Sequence, residues 1–282
     1  MCRWLAYSGP PIYLEELIVK PSRSLLVQSR FARENYLVDI EGLPDGAFPT
    51  NGDGFGIGWY GDREFPGVYR DLRPAWSDEN LLSLSAHIKS GLFMAHLRAA
   101  YHGIVQRSNS HPFAYRNWLF QHNGEISGYE QIKRQLQFQV RDDLFPLIRG
   151  TTDTETAFYL AITMGLCEDP KAGMERMIGE VENTRAKAGI EQPVRFTCAM
   201  TDGKNIFAVR YSSDRDSKTL YVNHDREGMQ ELMGDETPRL PGHIVLSEPL
   251  DDCSDRWDPV PESSFVRVCQ GEIEIEDFKP AA

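Results

Sequence analysis

The chain reads as an α+β protein in which mainly antiparallel sheets are sandwiched between helices. Three observations predict this. Short apolar runs of strand length fill the first 125 residues, helix-period segments occupy the middle, and strand-like runs return from residue 194 onward. Thr201-Asp202-Gly203-Lys204 is a hairpin signal joining two of the later strands. Long βαβ alternation is missing, which argues against a doubly wound parallel sheet.

Element by element, Cys2–Tyr7 predicts a first strand and Leu14–Val19 a short helix. Gly52-Asp53-Gly54-Phe55-Gly56-Ile57-Gly58-Trp59-Tyr60 alternates small and apolar residues, as in a buried strand closely approached by another backbone or a ligand. Leu92–Arg98 and Trp118–His122 are strand-length runs that end in polar chemistry. Helices are expected from Gly128 to Leu136, from Asp153 to Leu166 and, after a break at Pro170, from Lys171 to Lys187. Strands are expected at Arg195–Thr201, Asn205–Tyr211, Leu220–Asn223, His243–Ser247 and Phe265–Cys269. No repeat, low-complexity tract or long linker interrupts the chain, so residues 1–282 are read as one domain.

Composition narrows the function. A net charge of −12 lacks the clustered Lys and Arg that phosphate backbones require, so nucleic acid is not an expected partner. No segment approaches the ~20 consecutive apolar residues of a membrane span, and no secretory signal pattern opens the chain. The cytoplasm is the expected compartment. Five widely spaced cysteines form no metal-ligand or disulfide pattern, so free thiols and no metal or cofactor are expected.

Cys2 directly follows the initiator methionine. Removal of Met1 would make it the first residue, with an α-amino group of pKa about 7.7–8.0 able to take the thiol proton. The alternative is a small buried residue that merely begins a strand. His122-Asn123-Gly124-Glu125 offers an amide side chain and an unobstructed backbone N–H, the two donors of an oxyanion hole, or else a tight turn after a strand. Arg98 can grip a carboxylate through both arms of its guanidinium, with Tyr101 and His102 as flanking contacts, or make a structural ion pair. Thr152 and Glu155 form a capping box at the start of a helix, which leaves Asp153 free to hold an ammonium group. Together these groups describe a site for an α-amino acid with a side-chain acyl group, such as glutamine or another γ-glutamyl amide.

In this order the segments resemble the class II glutamine amidotransferases of the N-terminal-nucleophile hydrolase superfamily. The matching stretches are Met1-Cys2, Arg98-Ala99-Ala100-Tyr101-His102-Gly103, His122-Asn123-Gly124 and Thr152-Asp153-Thr154-Glu155. The resemblance implies a four-layer αββα sandwich of two mainly antiparallel sheets. It further implies Cys2 as nucleophile, Asn123 and Gly124 as oxyanion hole, Arg98 on the α-carboxylate and Asp153 on the α-amine. Tyr101 departs from the threonine frequent in the synthases of the family. The C-terminal segment with Ser247-Glu248-Pro249-Leu250 and Trp257 is read as part of the same domain, and Met1-Cys2-Arg3-Trp4-Leu5 with Asn51–Gly56 favours the single-domain branch of the family.

The expected activity is hydrolysis of a γ-glutamyl amide through a Cys2 thioester, with release of glutamate. The competing readings are a glutaminase subunit feeding an acceptor or synthase subunit, a silent glutamine-binding protein, and a cysteine peptidase pairing Cys2 with His96, His102, His111 or His122.

Overall fold

The computed structural model describes residues 2–34, 50–100, 104–223 and 242–281. The strands in chain order are β1 (Arg3–Tyr13), β2 (Phe55–Trp59), β3 (Gly67–Asp71), β4 (Lys89–Leu97), β5 (Phe113–Tyr115), β6 (Trp118–Ile126) and β7 (Val194–Thr201). They continue with β8 (Ile206–Ser212), β9 (Tyr221–Asn223), β10 (His243–Leu246), β11 (Trp257–Pro259), β12 (Ser264–Cys269) and β13 (Glu272–Asp277). The helices are α1 (Glu15–Ile18), α2 (Leu25–Phe31), α3 (Glu79–His87), α4 (Tyr129–Phe138), α5 (Asp153–Thr163) and α6 (Pro170–Lys187).

Two sheets result, each with every described pairing antiparallel. The first has the order β11-β9-β10-β1-β4-β2-β3 and the second β13-β12-β8-β7-β6-β5. Their side chains alternate between layers, as the pleat demands. Trp4 and Ala6 of β1 meet Leu119, Ala199, Ala208 and Val266 in the layer between the sheets. Leu5 and Tyr7 turn the other way, onto Leu14, Leu17, Leu25 and Leu81 of the N-terminal helical segments. Phe120, Cys198, Met200, Phe207 and Val209 cover the outer face of the second sheet under Ile132, Leu136, Phe158, Leu160 and Met177 of α4–α6. This is the expected αββα sandwich. Both faces of the central strands are buried, which is why their sequence reads as continuous apolar runs rather than as alternation.

The differences from expectation have local causes. β1 continues through Gly9-Pro10-Pro11 because its ladder with β4 slips between Ser8 and Ile12, and that irregularity absorbs the missing proline donors. His122-Asn123-Gly124 lies inside β6 rather than in a turn beyond it, with Asn123 opposite Thr197 and Gly124 opposite Phe196 on β7. α2 and α3 were not expected; each is a short amphipathic piece started by a side-chain cap, Ser24 accepting from Val27 N and Asp78 from Leu81 N. β13 carries Glu272, Glu274 and Glu276 on a sheet edge, where charge discourages further pairing and hides the strand from an apolar search. Among the described residues no helix is long and apolar enough to cross a membrane.

Candidate active site

Cys2 stands immediately before β1, in the middle of the first sheet, and is partly exposed. The Arg3–Leu97 pairing of β1 with β4 sets it beside Arg98 and Ala99, and its Sγ lies 3.8 Å from the Ala99 carbonyl oxygen. Arg98 is 4% exposed. Its backbone N–H donates to Gly54 O at 2.8 Å, and its Nη1 reaches Asp53 O at 3.5 Å. Asp53 in turn accepts from Ala100 N at 2.8 Å, which ties the Gly-rich segment before β2 to the Arg98 loop. Among the described residues the Arg98 guanidinium has no carboxylate partner. Tyr101 and His102 lie outside the described residues.

Two hydrogen bonds cross between the sheets and set their register here. Gln121 Nε2 donates to Leu5 O at 2.9 Å, and His96 Nε2 lies 3.1 Å from His122 O. His96 is the ladder partner of Trp4. One residue forward on β6 therefore corresponds to one residue back on β1, and the progression carries Asn123 and Gly124 toward the Cys2–Arg98 end.

Asn123 is buried, and its Nδ2 has no hydrogen-bond partner among the described residues. A buried amide donor left unmade costs about 1–3 kcal/mol, so an acceptor supplied from outside the protein would be strongly favoured there. Gly124 has φ 152°, and a Cβ at that position would run into the Arg195 carbonyl oxygen on β7. Only glycine fits, which makes its place in the motif a requirement of the backbone.

Asp153 opens α5 but is not free, contrary to expectation. Its Oδ2 accepts from Ile126 N at 2.8 Å, at the end of β6, and its Oδ1 accepts from Thr154 N at 2.7 Å and Thr154 Oγ1 at 3.2 Å. These bonds fasten the carboxylate to the strand that bears Asn123 and leave lone pairs for one more donor. The capping box forms by half. Thr152 Oγ1 accepts from Glu155 N at 3.2 Å, but the Glu155 carboxylate bypasses Thr152 and takes Arg149 N and Gly150 N at 3.0 and 2.5 Å.

The buried histidines do not partner the thiol. Burial lowers the pKa of His96 to about 3 and pushes His111 well below its ordinary value. His122 is also lowered by burial, partly offset by the Asp153 charge; its Nδ1 lies 2.9 Å from Thr154 Oγ1, and its ring stacks on Phe196 at 4.1 Å. His122 thus braces β6 against α5. No histidine among the described residues is hydrogen-bonded to Cys2, which removes the basis of the peptidase reading for His96, His111 and His122. The described residues also contain no group of three or more His, Cys, Asp and Glu side chains able to hold a metal ion.

Arg3 and Glu248 were legible only as motif members, and the structure joins them. Arg3 Nη1 donates to the carbonyl of Cys2 at 2.8 Å, and its Nε to Glu248 Oε2 at 2.7 Å, both side chains being fully buried. Glu248 also collects Arg23 Nη2 and the Arg33 and Glu34 N–H groups at 3.0–3.1 Å. An arginine directly after the cysteine, with no apolar role in a buried strand, was the available signal.

Two antiparallel sheets enclosed by helices, with a cysteine leading the central strand, define the N-terminal-nucleophile hydrolase fold. The chain belongs to the class II glutamine amidotransferases, whose family profile matches residues 35–280. It is 31% identical to the probable glutamine amidotransferase DUG3 of Saccharomyces cerevisiae, over 95% of this chain and 82% of that one. It is 25% identical to the gamma-glutamyl-hercynylcysteine sulfoxide hydrolase of Mycolicibacterium smegmatis, over 98% of this chain and 99% of that one. A glutamine aminotransferase class-II domain protein of Silicibacter pomeroyi superposes over the full length of both chains with TM-score 0.75 and 30% identity. The chain is a glutamine amidotransferase-like amidohydrolase acting on C–N amide bonds.

Proposed function

We propose that this enzyme hydrolyses a γ-glutamyl amide through a thioester on Cys2, within a single amidotransferase-type domain spanning residues 1–282. The observation that carries the reading is the unpartnered, buried Asn123 amide on a strand whose register leads to the cysteine end of β1. The site holds an amino-acid end between unlike charges: Arg98 takes the α-carboxylate and Asp153 the α-ammonium. With both fixed, attack on the γ-carbonyl becomes effectively intramolecular.

Once Met1 is removed, the α-amine of Cys2 takes the thiol proton and the thiolate adds to the γ-carbonyl. Asn123 Nδ2 and Gly124 N–H receive the oxyanion. Collapse breaks the C–N bond, and the proton on the α-amine passes to the departing nitrogen. The free amine then takes a proton from water as the hydroxide adds to the thioester. Loss of the thiolate, which regains its proton, releases glutamate. Arg3 and Glu248 act as positioning residues: a chain terminus is anchored on one side only, and this pair fixes the carbonyl of the residue that bears the thiol.

The named activity of the Mycolicibacterium relative, a gamma-glutamyl-hercynylcysteine sulfoxide hydrolase, supports a γ-glutamyl compound as the substrate. We place the enzyme in the cytoplasm, consistent with the free cysteines among the described residues. Glutamate release is to be measured over a panel of glutamine, γ-glutamyl dipeptides and γ-glutamyl thiol conjugates, with Met1-trimmed protein. Release from one or more, together with a γ-glutamyl adduct on Cys2 in mass spectrometry, is expected. Turnover without that adduct in a rapidly quenched sample would remove the thioester route.

A further inference from the structure

A second cavity lies away from Cys2, where the edge strands β3 and β5 of the two sheets approach α5. Its volume is about 610 Å³, ample for a small organic ligand. None of Cys2, Arg98, Asn123, Gly124 or Asp153 lines it. Four arginines do: Arg70, Arg107, Arg116 and Arg149, with Phe113, Tyr115, Leu147 and Tyr159 supplying an apolar and aromatic wall. That concentration of guanidinium groups stands out in a chain of net charge −12.

The nearby acids are already engaged. Glu155, the one carboxylate in the lining, receives the Arg149 and Gly150 N–H groups. Asp71 accepts from Leu72 N, Arg73 N and, at 3.3 Å, Arg107 Nη2. Asp143, near Arg116, is held by both arms of Arg141 at 2.9 and 2.8 Å.

Among the described residues Arg70, Arg116 and Arg149 therefore have no ion pair. Arg70 matters most, because its partly buried guanidinium makes only one described hydrogen bond, Nη1 to Ser110 O at 3.2 Å. Burial lowers its pKa, an effect partly offset by the Glu155 charge across the cavity. Arg116, an exposed residue of the lining, lies over the Tyr115 ring at 5.2 Å.

We infer that this cavity is a binding site for an organic oxyanion, a phosphate- or carboxylate-bearing molecule whose aryl or alkyl body lies against Tyr115, Leu147 and Tyr159. Guanidinium groups suit such ligands because two parallel N–H donors match the oxygens of either group. The site is separate from the thiol and would be occupied independently of the γ-glutamyl substrate.

Calorimetric titration with phenyl phosphate and with phthalate, at fixed ionic strength, tests this and separates the two oxyanion types. Saturable binding of at least one is expected, unaffected by saturating glutamate. R70Q should weaken it by roughly tenfold or more, the effect of losing a charged hydrogen bond. R149Q, at an exposed position that the fold does not depend on, should weaken it several-fold. Absence of saturable binding of both probes, competition by glutamate, or unchanged affinity in R149Q would overturn the proposal.

Discussion

The two halves of the candidate site are held by different means. On the first sheet Cys2 sits at a strand end, and the groups that position it are side chains: Arg3, Glu248 and the Asp53–Ala100 link. On the second sheet Asn123 and Gly124 lie within a ladder, flanked by β7, and Asp153 is tied to the strand by the Ile126 N–H. The thiol side is thus a set of separable interactions, whereas the opposite side is part of the backbone. A group at a chain end must be clamped, while one inside a paired strand is placed by register alone.

Cys2→Ala should break the thiol side outright. Turnover and labelling by a glutamine-analogue electrophile should vanish with unfolding temperature unchanged, and retained turnover would refute the nucleophile assignment. A chain that keeps any residue ahead of Cys2 should be equally inactive, since its amine has become an amide; N-terminal mass analysis beside activity checks this.

On the opposite side Asn123→Ala should cost about 10²–10³ in kcat, with KM little changed. Stability should hold or rise, because a buried unpaired donor is removed. A parallel fall in stability would make Asn123 a packing residue instead.

The clamp lies between these extremes. Arg3→Met leaves Glu248 buried beside fewer cations and should cost about 3–5 kcal/mol of folding stability. Arg3→Lys can pair with Glu248 but cannot also reach the Cys2 carbonyl with a rigid fork. It should therefore recover more stability than kcat at unchanged KM, whereas equal recovery of both would mean that the pair is structural only.

At neutral pH no effect is expected from the histidines between the two halves, and theirs emerges only on acidification. Those of lowered pKa bind fewer protons folded than unfolded, so their contribution is complete above the unfolded value near 6.5. It is lost as pH falls, toward about 3 for His96. Denaturant midpoints should drop over that window, with a slope of about 1.4 kcal/mol per pH unit for each such histidine. Neither ring nitrogen of His111 has a described partner, so His111→Phe should make the slope shallower by one such share. An unaltered slope would exclude His111 from the effect.

Much of this was legible in the primary structure because it rests on local chemistry. The layered order of elements and the capping Thr152 follow from residue type and spacing, whereas the φ of 152° that requires glycine at 124 emerged only from the fold. The acidic edge strand β13 and the short capped helices α2 and α3 were not legible, since neither carries a sustained apolar period. Asp153 was correctly placed beside the helix start, but its bond to Ile126 N could not be foreseen.

By itself, the sequence determined the class of chemistry: a cysteine directly after Met1, an arginine and an aspartate proposed for the amino-acid end, and an Asn-Gly pair proposed as donors, in an order that matches one family. Only the tertiary structure decided how they meet. The thiol and Arg98 come from one sheet and Asn123 and Gly124 from the other, and their alignment depends on side-chain bonds across the interior, Gln121 to Leu5 and His96 to His122. The clamp on Cys2 likewise joins residues 3 and 248. Spacing along a chain encodes the pleat and the helical turn, but contacts between sheets depend on how whole layers stack, which no local pattern records.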